Sequence, residues 1–547
     1  MLKRSSLFSV QLLSWILVLT SISWSCTNIL VTKGASKNKS VMITYSCDGE
    51  FLPRARITPA ADHQPGDSME IRNWSGKLLG KIHQPAHTYK VVGLMNEHQL
   101  VIGETTFSGR EELRNLQGLL PYWTLMRLAL QRARTAREAI QVIADLMDRY
   151  GYASTGETFS IGDPNEAWIM EMIGPGPGGK GAEWVALRIP DGYISCHANK
   201  SRISTFPLND PKNCMYSENV ISFAITRGYY DPASGKPFRF NEAYCPDTPR
   251  NRRYSDTRVW SIFRRAAPSK KFSAAYHRGD PDAKPYPLWI KPDHKLAVSD
   301  VFNLMRDHYE GTPFDMTKGI DAGPFGSPNR WRPIAWEVDS VDYVWERPVS
   351  TQQTGFSFVS QSRSWLPDGV GGVLWYGLDD TYTSCYMPLY CSIDELPSSL
   401  KTGSLSEFNW DSAWWVFNLV ANYANLKYSY MIRDIRKVQS ELEGTFLKLQ
   451  PAVEETAVKL ARSDPRLMEK FLNDYSYSHV NLVTERWKAL ARHIIAKYND
   501  GYVQKKAGRP AEVGYPQTWL KRVLKERPQQ FKLKPKINKA PESKLVD

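Results

Sequence analysis

The sequence predicts an α+β fold with a helical C-terminal region, on three observations. Short runs of β-branched and aliphatic residues, separated by turn residues, occur in pairs before residue 200. Residues 121–150 carry apolar side chains at mostly helical spacing. From about residue 407 onward the pattern becomes mostly helical. Both kinds of element therefore belong to this chain, and helices dominate its last part.

The composition is that of a globular protein with a sizeable core. The 547 residues are 42% hydrophobic and 23% charged, which excludes a mainly disordered, collagen-like or coiled-coil chain. A mean hydropathy of -0.43 excludes a multi-pass membrane protein. Seven cysteines are too few for a disulfide scaffold of this length. The chain is thus expected to fold around an ordinary hydrophobic core.

The N-terminus has the pattern of an export signal. Two basic residues precede an apolar run over 10–19, and small residues follow at Ser23 and Ser25. These serines stand at −3 and −1 relative to Cys26, which suits a signal peptidase. The apolar run is too short for a transmembrane span. We therefore predict that residues 1–25 are removed and that the mature chain begins at Cys26.

A cysteine directly after a signal has three interpretations. A lipoprotein cysteine is preceded by an aliphatic residue at −3 and a small one at −2, whereas Ser23 and Trp24 occupy these positions. An N-terminal nucleophile combines its thiol with an α-amine, which titrates at about 7.7–8.0 and can act as general base. Lipidation would block both groups of Cys26. A purely structural cysteine is the third possibility.

The first two strands bring an acid toward Cys26. Residues 28–32 and 41–45 read as strands joined by a turn, so they predict a hairpin. Counting back from the turn places Cys26 roughly opposite Cys47 and Asp48. A carboxylate there can hold the new ammonium group or orient a substrate amine. An ordinary aspartate at a strand end would look the same.

Further strands and a helix follow the hairpin. Residues 158–162 and 167–172 read as strands paired across a turn, and 184–188 reads as another strand. The apolar spacing over 121–150 predicts one helix that Gly151 ends. These segments supply both sheet and helix to the first half of the chain.

The C-terminal region reads as a series of helices. Helical patterns cover residues 407–445, 451–462 and 466–498. Pro451 and Pro465 mark the expected breaks between them.

The formal net charge of +13 is concentrated at the C-terminus. Residues 501–547 hold 9 Lys and 3 Arg against 3 Glu and 1 Asp. We expect a solvated, basic, Pro- and Lys-rich tail over 503–547 that ends flexibly. No nucleic-acid-binding module is recognisable, so no nucleic-acid partner is expected. Residues 205–300, rich in Pro, Asn and Asp, are expected to form insertions over the core and part of a pocket rim.

At this point the chain resembles a known family, the dipeptidase A family of cysteine peptidases. The resemblance begins with Cys26-Thr27-Asn28-Ile29-Leu30-Val31 and Asp48, and it extends over about residues 26–500. Several long matches in the same order are far more specific than one cysteine. Further matching segments are 96–99, 102–106, 163–171, 189–194, 197–199, 305–315 and 371–385.

The resemblance implies an N-terminal nucleophile (Ntn) hydrolase. Its fold would be a four-layer αββα sandwich in a catalytic domain over 26–400, followed by a helical region over 401–502. Its activity would be hydrolysis of dipeptides by Cys26 after signal cleavage, in an exported enzyme that is periplasmic or secreted. Small peptides would be its partners, with no stable membrane anchor, no cofactor and no metal, and a homo-oligomer remains open.

The resemblance also carries over site residues. Asp48 would contact the Cys26 amine, Asn199 would be the oxyanion donor, and Arg258 would favour the thiolate. Related acylases carry an arginine where this chain has Tyr45. Arg258 would then be the only cation near the nucleophile unless Arg54 or Arg56 substitutes.

Several residues are candidates for binding the ends of a dipeptide substrate. A free substrate amine requires a carboxylate, and the candidate residues are Glu50, Glu104 and Glu171. Asn96 and Thr106 are weaker candidates for the lining of the site. Two other functions remain as alternatives: an Ntn amidase or acylase acting on N-acyl amino acids, and a peptide-binding lipoprotein without catalysis.

Overall fold

A computed structural model describes residues 26–533. The predicted export signal over 1–25 and the predicted flexible end of the tail, from residue 534, lie outside the described residues. Within 26–533, no helix combines the length and the apolar character that a membrane crossing requires.

The strands and helices are numbered in chain order. The strands are β1 (Asn28–Val31), β2 (Met42–Asp48), β3 (Ile57–Thr58), β4 (Ala61–Asp62), β5 (Ser68–Arg72), β6 (Leu78–His83), β7 (His87–Thr88), β8 (Val91–Val92), β9 (Met95–Asn96), β10 (Val101–Phe107), β11 (Gly156–Gly162), β12 (Ala167–Ile173), β13 (Glu183–Arg188), β14 (Ile194–His197), β15 (Cys214–Tyr216), β16 (Trp289–Ile290), β17 (Ala335–Val338), β18 (Val341–Val344), β19 (Thr354–Gln361), β20 (Val373–Leu378) and β21 (Met387–Tyr390). The helices are α1 (Tyr122–Arg132), α2 (Ala136–Tyr150), α3 (Ser222–Thr226), α4 (Phe240–Tyr244), α5 (Pro249–Asn251), α6 (Thr257–Ala266), α7 (Val298–Met305), α8 (Asp368–Gly371), α9 (Ala413–Ala424), α10 (Tyr428–Ser463), α11 (Pro465–Lys497) and α12 (Gln517–Glu526).

Two antiparallel sheets form the centre of the molecule. The seven-stranded sheet has the order β16-β14-β1-β2-β19-β20-β21. The eight-stranded sheet has the order β15-β13-β12-β11-β10-β9-β8-β3. β1, the strand that follows Cys26, lies between β14 and β2, so both of its edges are paired. The nucleophile candidate therefore sits at the start of a central strand.

The sheets stack face to face, and helices cover their outer faces. β1 and β2 contact β10 and β11 across the interface, while α1 and α2 pack on the other side of the eight-stranded sheet. α9, α10 and α11 pack against β20 and β21 of the seven-stranded sheet. Gly103 permits the close approach of the sheets, because a Cβ there would lie 2.8 Å from the Asn28 amide nitrogen. The mixed α and β prediction with a helical C-terminal region is confirmed.

The predicted hairpin register is also confirmed. Leu30 pairs with Ile43, and Thr27 forms a bridge with Ser46. One further step along this register places Cys26 beside Cys47. The predicted pairing of the strands now called β11 and β12 is present as well.

The single helix expected over 121–150 is wrong, because the structure has two helices there. α1 ends at Arg132, and α2 begins after Thr135. Thr135 Oγ1 accepts a hydrogen bond from the Glu138 backbone N–H at 3.2 Å, which caps the new helix. Gly151, with φ of 80°, ends α2 as expected.

The break expected at Pro451 is also wrong. α10 runs through Pro451, although this residue cannot donate the helical hydrogen bond. The buried side chains of Phe446 and Ala457 lie on either side of it, in a helix that packs along α11. Tertiary packing therefore outweighs the local cost. Pro465 does mark a break, since it begins α11.

Two other segments contain more regular secondary structure than their sequences indicate. The described part of the basic tail contains the helix α12. Residues 205–300 contain β15, β16 and the short helices α3 to α6, and α6 carries Arg258 to Cys26.

Candidate active site

Cys26 is fully buried two residues before the start of β1. The Thr27 backbone N–H donates to Ser46 Oγ at 3.1 Å, and the Ser46 N–H donates to the Thr27 carbonyl at 3.1 Å. Both bonds join the start of β1 to β2. The chain on the C-terminal side of Cys26 is therefore held rigidly, as a precisely placed nucleophile requires.

Arg258 clamps the backbone around Cys26. Its side chain is buried at the start of α6, just after a π-helical turn over Arg252–Asp256. Burial and the neighbouring Arg347 lower the pKa of Arg258 to about 10, so it remains cationic at neutral pH. Its five N–H donors all reach oxygen acceptors. These are the Tyr254 carbonyl (3.1 Å), the Cys26 carbonyl (2.7 Å), Thr27 Oγ1 (3.0 Å), the Ala198 carbonyl (3.2 Å) and Asn199 Oδ1 (2.9 Å).

This full set of bonds gives Arg258 a positioning role that the sequence did not suggest. Every N–H of the guanidinium holds a backbone or side-chain oxygen. Arg258 thus positions Cys26 and Asn199 relative to each other. The expected role of Arg258 as a cation that favours the Cys26 thiolate stays a prediction.

Asn199 reaches the site just after β14. Its backbone adopts a left-handed conformation with φ of 58°, which asparagine tolerates better than most residues. Its amide nitrogen donates to the Thr106 carbonyl at 2.8 Å, and its Oδ1 accepts from Arg258. The structure therefore joins Asn199 to Thr106 and to Arg258, which in turn contacts Cys26. The oxyanion role of Asn199 stays a prediction.

Asp48 forms a buried ion pair at the end of β2. It accepts hydrogen bonds from Arg347 Nη2 and from Thr354 Oγ1, the latter at 2.6 Å. Burial raises the pKa of Asp48, and Arg347 opposes that rise. Arg54 and Arg56, the cations suggested by the sequence, are exposed.

Arg347 is a site residue that the sequence did not reveal. It lies 299 positions after Asp48, in an irregular segment between β18 and β19. Neither a motif nor a periodic pattern marks it. Only the pairing of β2 with β19 brings this part of the chain to Asp48.

Glu104 is the acid nearest to the Cys26 thiol. Its Oε1 lies 3.4 Å from Cys26 Sγ. The Tyr45 hydroxyl donates to the same oxygen and lies 4.0 Å from the sulfur. Burial, a hydrogen bond with Cys47 and the negative charge of Glu104 together raise the pKa of the Cys26 thiol. The Cys26 thiol is therefore protonated at neutral pH.

The other acid candidates have different roles or places. Glu50 is exposed. Glu171 is buried and accepts hydrogen bonds from Ser201 Oγ at 2.5 Å and from the backbone N–H groups of Arg202 and Ile203. Burial raises its pKa to about 7, but its bonds show that it anchors a loop.

Asn96 also serves the scaffold. Its amide nitrogen donates to the carbonyls of Leu130 and Ala133 at 2.8 and 2.7 Å, at the C-terminal end of α1. These acceptors would otherwise lack helical partners. The weak expectation that Asn96 lines the site is therefore not supported by its contacts.

One cluster of donor atoms can hold a metal ion. Cys26 Sγ, Cys47 Sγ and a Glu104 carboxylate oxygen lie within 4.8 Å of one another. Two thiolates and a carboxylate suit a thiophilic divalent cation such as Zn²⁺. Binding would require both thiols to lose their protons and would occupy the sulfur of Cys26.

Comparison with known proteins adds an independent line of support. The family model described as Peptidase family C69 matches residues 25–441. A probable dipeptidase from Salmonella dublin is 28% identical over 388 residues, covering 67% of this chain and 81% of that protein. A probable dipeptidase A from Streptococcus pyogenes serotype M18 is 24% identical over 446 residues, covering 78% and 86%. Dipeptidase A from Lactobacillus helveticus is 21% identical over 444 residues, covering 77% and 84%.

Proposed function

The chain belongs to peptidase family C69, and from this premise we propose that it is a dipeptidase with Cys26 as an N-terminal nucleophile. The observation that carries the proposal is the setting of Cys26. Its thiol is buried at the start of a central strand, its carbonyl is held by Arg258, and Glu104 lies against its sulfur. The similarity to proteins named dipeptidase supports dipeptides as substrates.

The layer arrangement supports an Ntn-hydrolase fold. Two stacked antiparallel sheets with helices on both outer faces correspond to an αββα sandwich. A central strand that starts shortly after the nucleophile is what such a fold needs for this chemistry. The N-terminal residue of the mature chain can then lie inside the protein and still be held firmly.

Removal of residues 1–25 precedes catalysis and turns the Cys26 amide nitrogen into an amine. This amine accepts the thiol proton, and Sγ attacks the scissile carbonyl carbon. A carbon–sulfur bond forms while the carbonyl π electrons move to oxygen. Asn199 donates to that oxyanion. The carbon–nitrogen bond then breaks, and the leaving amine takes the proton from the Cys26 ammonium.

Deacylation repeats these steps with water. The Cys26 amine accepts a proton from water as the hydroxide adds to the thioester carbonyl. The tetrahedral intermediate collapses, the carbon–sulfur bond breaks, and the sulfur regains the proton. The products are two amino acids and the enzyme in its starting state.

The proposed mechanism also implies where in or outside the cell the enzyme acts. A free Cys26 amine requires cleavage after Ser25, which an export signal peptidase would perform. The mature enzyme would then be periplasmic or secreted. A lipid on Cys26 would block both the amine and the thiol, so a lipoprotein would lack this activity.

Intact mass and N-terminal sequencing of the exported protein test the proposal, together with dipeptide turnover by the wild type and by Cys26→Ser. We expect a free Cys26 terminus and a loss of turnover in the variant of at least about 1,000-fold. Cys214→Ser is the matched control, because Cys214 is a buried cysteine in β15 outside the site. A lipid-sized mass increment, or full activity with residues 1–25 retained, would overturn the proposal.

A further inference from the structure

Two buried carboxyl groups lie side by side next to the nucleophile. Glu104 is in β10 and Glu157 is in β11, whose register places Glu157 opposite Thr106. Because side chains alternate along a strand, Glu104 and Glu157 share one face as diagonal neighbours. Both residues are 0% exposed, and their carboxyl groups interact directly.

This carboxyl pair has no cationic partner in the part of the chain that the structure describes. Glu104 Oε2 and Glu157 Oε1 are buried without a hydrogen-bond donor. The groups that do contact the pair are hydroxyls and a thiol: Tyr45, Thr106, Tyr152 and Cys26. A buried carboxylate without a counter-charge is costly, and burial raises the pKa of both groups.

We propose that Glu104 and Glu157 form a subsite for the free α-ammonium group of the substrate. The ammonium supplies a positive charge and three N–H donors to a buried acidic pair in which Glu104 Oε2 and Glu157 Oε1 lack a donor. The inference rests on the proposed function, since it names the group by which the same site selects dipeptides over N-acyl amino acids.

The distance to the nucleophile fits this assignment. In an amino-acyl group only Cα separates the ammonium nitrogen from the carbonyl carbon, so these atoms are about 2.5 Å apart. Sγ approaches that carbon at roughly 3–3.5 Å before bonding. Glu104 Oε1, at 3.4 Å from Sγ, is therefore within hydrogen-bond reach of an ammonium on the residue under attack.

A matched pair of substrates tests the subsite. Propionyl-Ala differs from Ala-Ala only in that hydrogen replaces the amino group. We expect the wild type to prefer Ala-Ala in kcat/KM by at least about 100-fold, because propionyl-Ala leaves the buried charge unpaired. Glu104→Gln should reduce this preference at least about tenfold, and Glu104→Gln with Glu157→Gln should abolish it.

Turnover of propionyl-Ala separates recognition from general damage. In Glu104→Gln, turnover of Ala-Ala should fall at least about tenfold more than turnover of propionyl-Ala, since only Ala-Ala uses the charge for recognition. Equal losses for both substrates would mean that Glu104 acts on Cys26 itself, and they would overturn the subsite. Glu183→Gln is the matched control, because Glu183 is a buried acid of β13 that accepts from Ser217 outside the site.

Binding measurements keep the two proposals distinguishable. If the wild type hydrolyses neither compound, the dipeptidase proposal fails, and calorimetric titration of Ala-Ala and propionyl-Ala into the wild type and Glu104→Gln decides the subsite alone. Tighter wild-type binding of Ala-Ala, lost in the variant, would support it. Equal affinities for the two compounds, or equal wild-type hydrolysis of both, would overturn it.

Discussion

Arg258 Nη1 lies 2.7 Å from the carbonyl oxygen of Cys26, although 232 positions separate the two residues. Both residues are fully buried, so neither group exchanges this bond for one with water. The position of Cys26 therefore depends on a side chain that is distant along the chain.

Replacement of Arg258 by lysine should impair both folding and catalysis. Lysine has three donors without the fork geometry, so buried acceptors around Cys26 lose their partners. We expect a loss of about 2–4 kcal/mol in the free energy of unfolding and at least about a tenfold lower kcat. Denaturant titration and steady-state kinetics measure these effects.

Arg363→Lys is the matched control. Arg363 is buried, donates to the carbonyls of Gly371 and Val370, and pairs with Glu454 outside the active site. This variant should lose stability but keep the kcat of its folded fraction. Equal losses of kcat in both variants would show that Arg258 has no special link to Cys26.

Asp48 and Arg347 should behave as a coupled pair. Asp48→Asn removes the carboxylate charge that faces the buried Arg347 guanidinium, and Arg347→Met removes the guanidinium that pairs with buried Asp48. Each single change should lower the free energy of unfolding by about 3–5 kcal/mol. The double variant should lose clearly less than the sum, as a double-mutant cycle by urea unfolding can measure. Strict additivity would contradict the pairing.

His197 should make the fold sensitive to acid. It is buried between the sheets, where its ring nitrogens meet Thr105 Oγ1 at 2.7 Å and Ser160 Oγ at 2.6 Å. Burial, together with Arg202 and Arg258, lowers the pKa of His197 well below its usual value. Below about pH 6.5 the unfolded chain binds a proton at this histidine that the folded chain excludes. The free energy of unfolding therefore decreases as the pH is lowered, by up to about 1.4 kcal/mol per pH unit.

The variant His197→Gln tests this assignment. It retains polar contacts but cannot titrate, so the free energy of unfolding between about pH 6.5 and 5 should depend less steeply on pH than in the wild type. Urea unfolding at several pH values measures the two slopes. The assignment is wrong if the slopes are the same.

Zinc should inhibit the enzyme reversibly. Zn²⁺ can bind the two thiolates and the carboxylate of Cys26, Cys47 and Glu104, and it would then withhold the sulfur from substrate. A chelator should restore activity. Cys47→Ser should raise the half-inhibitory zinc concentration at least about tenfold, while Cys214→Ser, which alters a cysteine outside the cluster, should leave it unchanged. Equal inhibition of both variants would exclude the cluster.

The part of the site that lies near Cys26 in the chain could be predicted from sequence. The hairpin register follows from local spacing, so the neighbourhood of Cys26 and Cys47 was accessible. Arg347 was not, because its approach to Asp48 depends on a strand pairing across 299 positions. A sequence pattern reports which face a residue occupies but not which distant loop meets it.

The errors in helix boundaries have different physical causes. The break before α2 had a readable signal in Thr135 and Glu138, which was obscured by continuous apolar spacing. The continuity of α10 through Pro451 had no local signal, since packing against α11 supplies the stability. Glu104 was one of three candidate acids, and only its burial against Cys26 Sγ distinguishes it.

The pairing of β2 with β19 sets an order of events during synthesis. Arg347 leaves the ribosome 299 residues after Asp48, which corresponds to roughly 15–60 s at about 5–20 residues per second. Until then the first hairpin lacks its neighbouring strand and its counter-ion. A nascent chain thus cannot complete the native surroundings of Cys26 early, and Asp48 stays without its buried ion pair until residue 347 has been made.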